Sequence, residues 1–121
     1  MPIQPFWYTD TFALAASGSG VLQLPVSAGE IGRFRRLQFI STAAFEIRGI
    51  RDQSNKQFSA ASSTDPIPNT MLRDAASDLS GAYEFNPPLE IVGPGQLNID
   101  ITDTSAAPNT VRVVIEGEKE T

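Results

Sequence analysis

Asp100 and Asp103, with Asp52, Asp65, Asp74 and Asp78 elsewhere, are the residues with which this chain could build a calcium site or a paired-carboxylate centre. Calcium takes hard oxygen ligands, and the best-known loop that supplies them needs a central glycine and a closing glutamate. Neither stands at the required spacing here, and Asp100 falls on the polar phase of an alternating stretch, where a solvated carboxylate is expected. A glycosidase pair can be drawn from almost any aspartate-rich sequence, so it is only a weak alternative. Ser17-Gly18-Ser19-Gly20 lacks the Gly-x-Ser-x-Gly elbow of a serine hydrolase. With no histidine and no cysteine in the chain, there is no imidazole base, thiolate nucleophile or zinc–thiolate set. The expectation is a protein that is not an enzyme and uses no metal or cofactor.

Two groups of residues suit recognition better. Arg33, Arg35 and Arg36 flank Phe34 in the densest positive patch of the sequence. They could hold an anion or an acidic neighbouring protein through bidentate contacts, or line the wet side of a strand and pair with Glu30, Glu46 or Asp52. The segment from Pro2 to Tyr8 gathers Phe6, Trp7 and Tyr8 behind two prolines. It reads either as an extended arm over residues 1–7 that anchors on a neighbouring subunit through Phe6 and Trp7, or as the start of the first strand. The arm reading divides the chain into the arm, a sandwich over residues 8–117 and a polar tail over residues 118–121.

Composition sets the bounds. A chain of 121 residues with 40% hydrophobic and 19% charged residues fits one globular domain that buries about two thirds of its unfolded surface. No apolar run approaches the ~18 residues that span a bilayer. The first residues show neither a basic region nor an apolar core of a signal peptide, so no membrane partner and synthesis in the cytoplasm are expected. A net charge of −5 argues against nucleic acid, whose binding rests on clustered positive charge.

The elements that must position these residues are short strands. Leu97, Ile99 and Ile101 alternate with Gln96, Asn98 and Asp100, and Val111, Val113 and Ile115 alternate with Arg112 and Glu116. A period of two places one face inward, and the polar turn over residues 103–109 makes the pair read as a closing hairpin. Val114 breaks the pattern by placing an apolar side chain outward. Further strands are expected around Phe12–Leu14, Val21–Leu24, Phe34–Ile40, Phe45–Ile50, Lys56–Phe58, Ala82–Phe85 and Leu89–Val92. Residues 59–80 read as a long Ser/Thr-rich loop with a helix-compatible piece at about 70–80. Turn signals roughly every ten residues indicate an all-β antiparallel sandwich or jelly roll of about seven to nine short strands.

The order of Pro87–Gly95, Leu97–Thr102, the Ser105–Thr110 turn and Val111–Gly117, with Phe45–Asp52 earlier, resembles a group of small structural proteins of tailed bacteriophages, of the head-decoration, cement or minor virion type. The resemblance implies a β-sandwich without catalysis that binds the major capsid protein, other virion proteins and itself, as a dimer or trimer. It would sit on the capsid exterior or head. The candidate interface residues are Phe6, Trp7, Tyr8, Arg33, Arg35, Arg36 and Val114. A different class remains open: a glycan- or receptor-binding module of a head fibre or tail adhesin, with Trp7, Tyr8 and Tyr83 as stacking platforms.

Overall fold

Alternation of apolar and polar side chains produces eight strands in the computed structural model, which describes residues 2–71 and 80–121. They are β1 (Ile3–Leu14), β2 (Ser19–Val26), β3 (Ile31–Ser41), β4 (Phe45–Asp52), β5 (Ile67–Pro68), β6 (Ser80–Val92), β7 (Gly95–Asp103) and β8 (Asn109–Glu120). A single 3-10 turn at Asn69–Met71 is the one helical element among the described residues. The helix-compatible stretch near 70–80 lies largely outside them, as do Asp74 and Asp78.

Two antiparallel four-stranded sheets form, in the orders β1-β8-β3-β6 and β2-β7-β4-β5. This is the jelly-roll arrangement of an antiparallel sandwich. Every connection except β4–β5 passes from one sheet to the other. The inner faces meet in one apolar layer, in which Leu97, Ile99, Ile101, Val111, Val113 and Ile115 are each at most 2% exposed. Phe34, Phe45, Leu22 and Leu24 complete its centre.

β7 and β8 bury the faces expected of them, yet they are not a hairpin. β7 pairs with β2 and β4, and β8 with β1 and β3. Alternation reports which face of a strand is dry and carries no information about its neighbour. The 103–109 turn is long enough to cross the ~10 Å between packed sheets.

The arm and tail are also corrected. Residues 3–7 are the first half of β1, in continuous register with β8 from Ile3↔Glu120 to Leu14↔Asn109, so residues 118–120 are strand as well. Phe6 and Tyr8 lie on the inward phase. The Tyr8 ring packs edge-on against Phe34 at 4.5 Å and against Phe6 at 4.9 Å, and the Lys119 ammonium sits 4.3 Å over the Phe6 ring.

Smaller differences have local causes. A bulge between Ile47 and Gly49 reverses the phase of β4 and turns Ile50 inward. Lys56–Phe58 gives only an isolated bridge, Arg51↔Gln57, while β5 comes from within the expected loop. β6 is one strand rather than two. Its pairing with β3 lapses between Glu84 and Leu89, where Pro87 and Pro88 have no N–H to donate. Opposite this irregularity lies Gly117, where a Cβ would stand 1.9 Å from the Arg33 carbonyl oxygen.

Two outcomes follow. Gly117→Ala must push β3 and β8 apart and should cost at least about 1–3 kcal/mol, read as a lowered denaturation midpoint. Deleting residues 1–7 should unfold or strongly destabilise the protein, because it removes Phe6 from against the Tyr8 ring and takes away nearly half of an edge strand. A truncated protein with unchanged stability would restore the arm.

Candidate interaction surface

The outward residues of the β1-β8-β3-β6 sheet line up in rows across the strands. Following the register, one end of the face carries Ile3, Glu120, Ile31 and Val92. Next comes Pro5, Glu118, Arg33 and Glu90, then Trp7, Glu116, Arg36 and Glu84. Thr9, Val114 and Gln38 follow, and Thr11, Arg112 and Ile40 close the far end. Among the described residues, four of the five large apolar residues left exposed are on this one face: Ile3 at 56%, Trp7 at 54%, Ile40 at 58% and Val92 at 59%. Isolated exposed apolar residues need no explanation; their presence on one face makes it the candidate interaction surface.

A band of ion pairs divides the face. Arg33 donates to Glu90 and Glu120, each at 3.2 Å, and lies 4.0 Å from Glu118, which also pairs with Arg35. Arg36 is exposed, with no ion pair among the described residues. The arginine patch therefore does lie on the wet side of a strand, but its partners are Glu90, Glu118 and Glu120. Of the acids expected to serve, Glu30 pairs with Lys119 and Glu46 with Arg48. Such exposed pairs contribute little stability, about 0–1 kcal/mol each; they serve here to hold the arginines flat on the sheet.

Among the candidate residues, Trp7, Arg33, Arg35, Arg36 and Val114 share this face, while Phe6 and Tyr8 point into the core. Ile3, Ile40 and Val92 belong to the surface and were missed. Their signal was present in the sequence, since each occupies the phase opposite to the core residues of its strand, as Val114 does.

Asp100 and Asp103 are engaged by the chain's own groups. The Asp100 carboxylate takes a bidentate pair of bonds from Arg51, both at 3.0 Å. Asp103 is buried at one end of the sandwich. It accepts from the Ser105 hydroxyl at 2.6 Å, the Ser17 amide at 2.7 Å, and the Ser105 amide and Asn109 side chain at 3.2 Å. Asn109 in turn donates to the Ala43 and Ala44 carbonyls at 3.0 Å and accepts from the Ala43 amide. The two side chains thus tie the β1–β2, β3–β4 and β7–β8 turns together. Among the described residues no group of three or more acidic side chains is placed to hold a metal ion.

An apolar gap of about 80 Å³ lies between the sheets, lined by Ile47, Ile50, Phe58 and Tyr83 among others. Sites for drug-sized ligands or cofactors run from about 300 Å³ upward; a more open cleft of about 450 Å³, lined by Lys56, Phe58, Tyr83 and Pro87 among others, shares part of the gap's lining. Of the proposed stacking platforms, Trp7 is exposed, Tyr8 is 5% exposed, and Tyr83 is half-buried, bordering both the gap and the open cleft.

No protein-family model matches the chain, and no curated protein matches it in sequence. One similar solved structure is the core of Drosophila NLP, described in terms of pentamer formation and histone binding. It is 13% identical over 94% of this chain and 99% of its own, with a TM-score of 0.40. Nothing about this chain follows from a likeness at that level.

The Asp103 latch has a pH signature. The Ser105 hydroxyl foremost, with the Ser17 and Ser105 amides and Asn109, holds its carboxyl down at about 2 against an ordinary 3.8, outweighing the opposing effect of burial. The folded value is depressed, so the contribution is complete above about 3.8 and is lost as pH falls towards 2. Asp103→Asn should lower the melting temperature at neutral pH, and the gap from the parent should narrow between pH 4 and 2. A gap constant across that window would count against the latch.

Proposed function

We propose that this chain is a non-catalytic structural protein of a virus shell, a decoration or cement component on the exterior of a tailed-phage head that binds the major capsid protein and copies of itself. The observation that supports the reading best is the gathering of exposed apolar side chains on one sheet face. The sequence resemblance supplies the setting. A sequence without histidine or cysteine agrees with a role carried by contact area alone. Such a protein stabilises a shell by adding buried surface across the joins between capsid subunits, at about 25 cal/mol per Å² of apolar area before the costs of association.

The glycan-binding alternative would use Trp7, which is exposed, and Tyr83, which borders an open cleft of about 450 Å³, while Tyr8 is buried in the core.

Purified protein should add to undecorated phage heads at micromolar concentration and raise the temperature at which they rupture. Val92→Glu, which charges the apolar end of the face without touching the core, should weaken addition about tenfold or more. Failure of the parent protein to add to heads would contradict the reading, and so would undiminished addition of the variant together with that of Trp7→Glu and Ile40→Glu.

A further inference from the structure

We propose that a second copy of this chain docks on the Val114 end of the face about a two-fold axis running across the strands over Val114 and Gln38, with Arg112 of each copy paired to Glu116 of the other. This deepens the shell-component reading and rests on it for the self-contact.

Arg112 and Glu116 straddle Val114 on β8, and all three point outward. Four residues of strand separate them by about 13–14 Å, so they cannot meet within one chain. Among the described residues Arg112 donates only to the Thr11 hydroxyl, at 3.4 Å, and Glu116 has no cation within 4 Å although Arg36 is its cross-strand neighbour. Along the adjoining row, by contrast, Arg33 is already paired with carboxylates. Along β8 the open charges flanking Val114 are thus one positive and one negative at equal distances, with the open Arg36 beside Glu116 in the next strand.

A two-fold axis across the strands reverses β8 over its copy. It lays Arg112 on Glu116 twice, and places Val114 and Gln38 each on its own counterpart. This is the self-complementarity an isologous interface requires. The same operation sets the exposed Ile40 against the aliphatic stem of Arg36, and Trp7 against Thr11. The chain carries a net charge of −5, yet here two such chains meet on a patch whose opposite charges cancel. At strand spacings, three rows of four strands cover roughly 400 Å² in plan, below the ~800 Å² per partner of a standard interface. The free dimer should therefore be weak, and repetition on a shell would reinforce it. Ile3, Ile31 and Val92 stay outside the contact, free for the shell.

The test is a charge exchange read by sedimentation equilibrium. R112E and E116R alone should each weaken dimerisation about tenfold or more, by opposing like charges across the axis. The R112E/E116R double variant should regain the parent's affinity to within about threefold. A parent that stays monomeric at several hundred micromolar overturns the proposal, as does a double variant no better than the singles. Because the sequence has no cysteine, position can be checked separately. Facing sheets lie too far apart for a direct disulfide, so Q38C and, as a control on the other sheet's outer face, Q23C are treated with a short bifunctional maleimide. Dimeric product from Q38C alone supports the axis; none from Q38C, or equal yields, contradicts it. The two readings fail separately. Heads that bind protein whose single charge variants dimerise normally refute the two-fold contact and leave decoration standing. A rescued dimer that ignores heads supports the contact and refutes decoration.

Discussion

β8 is the strand on which the remainder of the structure depends. Both of its hydrogen-bonding edges are used, by β1 on one side and β3 on the other. Its inward side chains, Val111, Val113 and Ile115, lie at the centre of the apolar layer. Asn109 at its start bonds the β3–β4 turn and, with Asp103, ties three turns together, and Gly117 near its end admits the backbone of β3. With the inner face and both edges committed, only the outward side chains are left to interact. Those are Arg112, Val114, Glu116, Glu118 and Glu120. The candidate surface is one of the two sheet faces that the sandwich leaves outside its core.

The same face shows why its charges behave unequally. Arg33 sits where three glutamates converge, two from β8 and one from β6, and its guanidinium is held among them. Arg112, six residues back along β8 from Glu118, has only a threonine hydroxyl beside it. Register alone makes the difference, since a strand offers each outward side chain only the neighbours in its own row and the rows beside it. The outcome is a self-paired polar band around Arg33, with a mostly apolar row on one side of it and open charges of both signs on the other.

How much of this could be read from the residues depended on whether the information was local. Inward and outward phases were legible, because the side-chain period of a strand is a property of its own sequence; the six core residues of β7 and β8 show it. Strand partnership was not, since Leu97–Ile101 and Val111–Ile115 look the same whether they pair with one another or face each other across a sandwich. The extended character of Pro2–Tyr8 was visible, but whether it lay free or paired depended on residues 115–120, more than a hundred positions away. The phase reversal at Ile50 hinges on one bulge beside Gly49. For the surface, Trp7 and Val114 were visible as exceptions to local pattern. Ile3, Ile40 and Val92 became meaningful only when register brought them onto one face. Asp103 looked like a turn residue and is instead the last residue of β7, with partners at Ser17 in the β1–β2 turn and Asn109 at the start of β8.

Trp7 is the chain's only tryptophan, stands half exposed on the proposed surface, and takes no part in the core. Quenching of its emission by acrylamide, measured for the dilute protein, at high concentration and with undecorated heads, tests most directly whether this face is where the protein assembles. Ready quenching in dilute solution, with strong protection and a blue-shifted emission on assembly, is expected. Assembly that leaves quenching and emission unchanged would place the contact elsewhere and contradict the assignment of the surface.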